Sequence, residues 1–298
     1  MIAVASEYFQ LLIILVLVEV GLSSYHPPGV SLISDTFDGE NVGKALSIHL
    51  FAGKVGMFSS IFLAGLISAF WNWRFALLIW ASGGIIVALI FSRAIKDQGG
   101  YSQGNYGTSI EDRKPILSWP IISLTIAYSV YTMSARGLSV FIPVYLVDIN
   151  VTPLQAGMIA GLLLFFGAVG TLIGGFLADK FDKKRVIFSM IALIILPISL
   201  IALMKLNILF LTIIACLSVS IYAIAPATQA LITDITEQSE RAWIFGILFT
   251  ISVGLGAITP TIMGGIADAL GLQASFYFLT TIVGIGMIST LTLKITAN

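Results

Sequence analysis

At 298 residues, 58% hydrophobic and only 10% charged, the chain is far more apolar than a soluble domain requires. Its formal net charge is zero, which excludes a general electrostatic affinity for nucleic acid. One cysteine, Cys216, excludes an internal disulfide, and two distant histidines exclude a zinc-type cluster, so no cofactor or metal is expected.

A helix needs roughly 20 apolar residues to cross the hydrocarbon of a bilayer. In chain order, nine segments qualify, at 9–35, 43–70, 73–95, 118–147, 153–179, 185–204, 207–234, 242–269 and 273–295. Lipid offers a backbone amide no partner and barrel-type alternation is absent, so all nine are expected to be helical. The fold class is therefore all-α and integral to a membrane, in contact with lipid. Polar, glycine-rich sequence at 97–114 is the one real linker. It divides three helices in a partial N-terminal half (1–95) from six in a C-terminal half (118–298), with 96–117 between them.

Basic residues set the orientation. If the linker is cytoplasmic, eleven Lys and Arg side chains fall on that face, and only Arg74 and Lys205 on the other. That bias places the C-terminus inside the cell, and a multi-pass protein of the plasma membrane is expected. Trp71, Trp73 and Trp119 fall at expected interfaces, and glycines such as Gly167, Gly170, Gly174 and Gly175 suit close helix packing.

The chain repeats itself at an offset of 199 residues. Pro27, Leu32, Ile33 and Asp35 fall on Pro226, Leu231, Ile232 and Asp234. The second half reaches residue 200 before Met1 finds its counterpart, so the first half is expected to lack roughly 80 residues, or three helices. Two matching membrane halves around a shared cavity are typical of transporters.

Charges within spans cost several kcal/mol unless paired or hydrated, so each demands a role. Glu19 stands about 24 Å from the cytoplasmic end of its helix and Arg136 about 27 Å up its own, a shared depth. They are expected to pair, or to act separately on a charged solute. Lys54, at roughly 17 Å, lies near the midplane, and His26 at about 14 Å precedes Pro27 and Pro28 directly. Either suits proton or anion binding, although His26 equally suits a carbonyl freed by the prolines. Tyr25, Tyr128, Tyr131 and Tyr222 supply apolar contact with one hydroxyl each, as a small-molecule pocket requires.

GGFLADKFDKKR (Gly174 to Arg185) resembles the signature loop of the major facilitator superfamily, with Asp182 in place of its usual second glycine. GLSSYHPPG, GKALSIH and WNWRFA are similar to the fourth, fifth and sixth helices of that family's exporters, loosely the fosmidomycin-resistance type. The resemblance implies helices four to twelve of a twelve-helix fold, an incomplete 6+6 bundle. It also implies that the helices of Glu19 and Arg136 face a central cavity. GMFSSIFLAG lacks the proline that antiporters keep in the fifth helix. Asp179 is expected to cap the helix opening near Gly43, and Lys183, Lys184 or Arg185 to pair with Asp234. Such ties would latch the cytoplasmic side.

The functional expectation is secondary active transport of a small polar or charged solute by alternating access, coupled to a proton or solute gradient. The alternative is a non-transporting scaffold or sensor that keeps the fold. The missing N-terminal segment is a further candidate partner, its absence explained by a mis-called start, separate encoding or decay of the gene, the first or last being favoured. No phosphate-cradling loop or nucleophile constellation supports an enzyme.

Overall fold

The computed structural model describes residues 7–23, 25–37, 41–94 and 118–293, and among them every regular element is an α-helix. In chain order these are α1 (Tyr8–Ser23), α2 (His26–Thr36), α3 (Val42–Phe70), α4 (Trp73–Ala94) and α5 (Trp119–Asp148). They continue as α6 (Pro153–Lys180), α7 (Lys183–Ile201), α8 (Ile208–Ile235), α9 (Gln238–Leu270) and α10 (Leu272–Thr292). Six of them, α5 to α10, are long and apolar enough among the described residues to cross a membrane. The linker at 96–117 lies outside the described residues.

Helix bounds match the expected spans to within a few residues, with one correction. The segment expected as a single span over 9–35 is two helices, α1 and α2. Consecutive prolines explain the break. Two adjacent prolines inside a helix would remove two amide donors and set two rings against carbonyls of the preceding turn, whereas both are harmless in a helix's first turn, where Pro27 and Pro28 stand. The repeat supplies a control: α8 carries Pro226 alone at the corresponding position, followed by Ala227, and runs unbroken.

Local sequence sets the other termini. Thr152 precedes Pro153 and accepts from the Gln155 amide, and Asn207 accepts from that of Phe210 at 2.9 Å. Asp182 caps α7 by accepting from the Arg185 amide at 2.8 Å, so the residue standing in for a glycine works as an N-cap. Gly271, at φ +90°, joins α9 to α10 without an intervening loop.

Packing divides the chain into two compact units, 1–26 with 55–114, and 27–54 with 115–298. The first contains α1, the later part of α3 and α4. The second contains the rest of α2, the opening of α3 and all of α5 to α10. The sequence repeat and the packing therefore partition the chain differently, because residues 27–54 of the first repeat are bonded into the second.

Within the second unit, α6 and α8 approach most closely. A Cβ on Gly170 would meet the backbone of Val219, and one on Gly174 the backbone of Ala223. Buried hydroxyls hold the remaining seams. Ser129 bonds Ser252 at 3.0 Å, Thr132 donates to the Ser252 carbonyl at 2.6 Å, and Ser123 to the Ser289 carbonyl at 2.7 Å. Small residues and hydroxyls are what membrane helices use where burial of apolar surface gives no drive.

Candidate functional site

One polar cluster sits where α2 and α3 meet α6, α8 and α9. Asp179, at the last turn of α6, accepts from the backbone amides of Gly43 (2.8 Å) and Lys44 (2.7 Å), at the first turn of α3. Those amides have no carbonyl partner within their own helix, and the dipole there favours a carboxylate. The approach requires glycine on both sides. A Cβ on Gly43 would strike the Asp179 carboxylate and the Gly175 carbonyl, and one on Gly175 would strike Ser47. Adjacent glycines thus serve different neighbours, Gly174 facing α8 and Gly175 facing α3.

Beside this cap lie two ion pairs. Lys183 meets Asp234 at 2.7 Å, joining the start of α7 to the end of α8. Lys184 instead donates to the carbonyls of Leu291 and Leu293 at the end of α10, and Arg185 gives its amide to Asp182. Arg241, near the start of α9, binds Asp35 at 2.7 Å, with both side chains about five-sixths buried. The same guanidinium donates to the Ser34 carbonyl at 3.2 Å and the Thr233 carbonyl at 3.0 Å. Between those helix ends, Thr233 donates its hydroxyl to Ser34 at 2.9 Å.

A second cluster lies near mid-helix. Lys54, Tyr131 and Tyr222 stand about 18, 18 and 20 Å from the ends of α3, α5 and α8 on the side of the first cluster, so they share a depth. The Lys54 ammonium rests 4.0 Å from the centroid of the Tyr222 ring and 6.0 Å from that of Tyr131. Ring electrons attract a cation held over the face. Tyr131 packs edge-on against Tyr222 (5.6 Å) and Tyr128 (5.2 Å), and Tyr128 against Phe249 (5.5 Å). Gly167 of α6 backs Tyr222, since a Cβ there would meet the ring at 2.6 Å. Gln229, fully buried, donates from Nε2 to the Tyr128 hydroxyl at 3.1 Å, and its Oε1 accepts from no described donor. Arg136, exposed and five residues beyond Tyr131 on α5, lies within electrostatic reach of Lys54, Tyr131 and Tyr222.

Other candidates lie apart. Tyr25 and His26 belong to the first unit, where their rings meet edge-on at 5.6 Å. Glu19 falls on α1, but its side chain lies outside the described residues, and with it the expected pair to Arg136. Sequence reasoning did not single out Gln229, nor give Arg241, Ser34 and Thr233 any role in the site. Arg241 counted only toward orientation and Asp35 only as a repeat marker. Two matched aspartates at helix ends, with an arginine opening the next helix, were the available signal.

Comparison with known proteins agrees with this architecture. A family model described as Major Facilitator Superfamily matches residues 1–123 and 124–296. Among solved structures, the chain resembles a bacterial homologue of the iron transporter ferroportin in an outward-facing state, at 14% identity and a TM-score of 0.67, covering 98% of this chain and 75% of that one. It also resembles such a homologue in the outward-facing state with soaked iron, at 15% identity and a TM-score of 0.59, covering 88% and 66%. At these identities the likeness is one of fold. No curated protein sequence matches the chain.

Proposed function

The chain belongs to the major facilitator superfamily, a family of multi-pass membrane transporters, and on that premise we propose that it is a secondary active transporter moving a small polar or charged solute by alternating access. The observation that carries this reading is the Lys54 ammonium held over the Tyr222 and Tyr131 rings near mid-helix, with Arg136 of α5 within electrostatic reach. Ionisable groups survive there only when they have work to do. Their positive charge repels a dication, so the iron that names the two similar structures is not assigned to this chain. A proton or solute gradient supplies the drive, and the basic loops orient the C-terminus to the cytoplasm in the plasma membrane.

Reconstitution into liposomes tests the proposal. With an imposed pH gradient or a preloaded counter-solute, at least one member of a panel of anions, cations and neutral solutes accumulates against its own gradient. Failure of every class to accumulate overturns it.

In the same reading, the Asp179 bonds to Gly43 and Lys44 form a cytoplasmic latch that must part during transport. Asp179→Asn removes the charge that the α3 terminus favours. In a Cys216→Ser background, a reporter cysteine at the buried Ser47 is expected to react several-fold faster with a charged thiol reagent once Asp179 is changed. Equal rates in both proteins would refute the latch.

A further inference from the structure

Building on the transport reading, we infer that the Lys54–Tyr222 cluster selects an organic anion with a flat apolar body, of the aromatic carboxylate class. Charge gives the first half of the argument. Among the described side chains of the second unit, all eight carboxylates, Asp182 and Glu237 at the N-caps of α7 and α9 included, sit at helix termini. Lys54 and Arg136 are the cations along the middle of α3 and α5 among those same described side chains, so their own field is positive and attracts an anion.

The hold on Lys54 gives the second half. Its ammonium is seated on ring faces at 4.0 and 6.0 Å, a weaker partner than a carboxylate oxygen. Lys54 and Tyr131 are half-buried and Arg136 is exposed, so this face of the cluster is reachable. An arriving carboxylate draws the ammonium off Tyr222. The ring itself stays put, because Gly167 backs it and Tyr131 abuts its edge. What remains is a fixed, vacated aromatic face, which the flat body of the solute covers by stacking.

Equilibrium binding to the purified full chain decides the matter, with benzoate as probe and acetate, benzyl alcohol and benzyltrimethylammonium as contrasts. Benzoate is expected to bind saturably and acetate about tenfold more weakly, while the neutral and cationic rings fail to compete. Lys54→Gln raises the benzoate Kd about thirtyfold or more, and Lys54→Arg restores it to within a few-fold of the original. Tyr222→Leu weakens benzoate but not acetate, a split that a merely structural tyrosine would not give. Should Lys54→Gln fail to fold, the arginine and leucine variants carry the decision. Absence of saturable benzoate binding, tighter binding of the cation or the alcohol, or indifference to Lys54→Gln overturns the assignment. Accumulation of a cation or neutral solute in liposomes without benzoate binding removes the solute class alone. Benzoate binding without accumulation of any solute removes the transport reading alone.

Discussion

Gly174→Val is expected to cost the C-terminal helices about 3 kcal/mol or more, read as a fall in Tm of the purified protein. Inserting methyl groups into a tight core costs roughly 1–3 kcal/mol when side chains can give way. Here they cannot, because the groups a Cβ would meet at Gly174 are the backbone of Ala223 on α8. Relief requires α6 and α8 to separate along their length. Separation also strains the bond from Ser218 to the Leu163 carbonyl, 2.9 Å in the same seam. Gly161→Ala provides the contrast: nothing lies within 4 Å of its Cβ. Helix propensity alone then acts, a gain of up to about 1 kcal/mol. Similar melting of both variants would refute this account of the α6–α8 seam.

The other large effect is expected at Arg241. Its guanidinium bonds Asp35, the Ser34 carbonyl and the Thr233 carbonyl, and so joins the ends of α2 and α8. Arg241→Met leaves the Asp35 carboxylate largely buried, with the Ser31 hydroxyl at 3.5 Å its remaining donor among the described residues. Removing one member of a buried pair costs about 3–5 kcal/mol, and residual exposure of some 15% puts this case at the lower end. Asp35→Leu combined with Arg241→Met recovers much of that loss, since no charge is then stranded. A double-mutant cycle measures the difference. Additive losses in the cycle would show that the pair is not coupled.

The fold was legible where the bilayer imposes a rule. Length and hydropathy located the helices, although 9–35, expected as one span, divides into α1 and α2 ahead of the Pro27–Pro28 pair. Asp179 and Gly43 were legible as partners because a carboxylate at one helix end and free amides at another are complementary. The contacts of Lys54 were not. Depth arithmetic set Lys54 near the midplane, but which ring it meets depends on how α3 and α8 are rotated about their axes. In a soluble protein an apolar stripe reveals that rotation. Here exposed residues such as Leu193 and Ile288 are as apolar as buried ones such as Ile194 and Val283, so the stripe vanishes. Gln229 was silent for a related reason: a single amide in an apolar run declares neither its face nor its partner.

Ser34 and Thr233 are counterparts in the duplicated sequence, 199 positions apart, and they touch each other at 2.9 Å. Two counterparts can meet only where the dyad relating the copies runs between them. Under alternating access a bond at these helix ends, in the same cluster as the Asp179 cap, has to part whenever the two copies rock open on that side. A disulfide joining Ser34→Cys and Thr233→Cys is expected to halt turnover in liposomes until it is reduced, and unimpaired turnover with the link formed would show that this end stays closed.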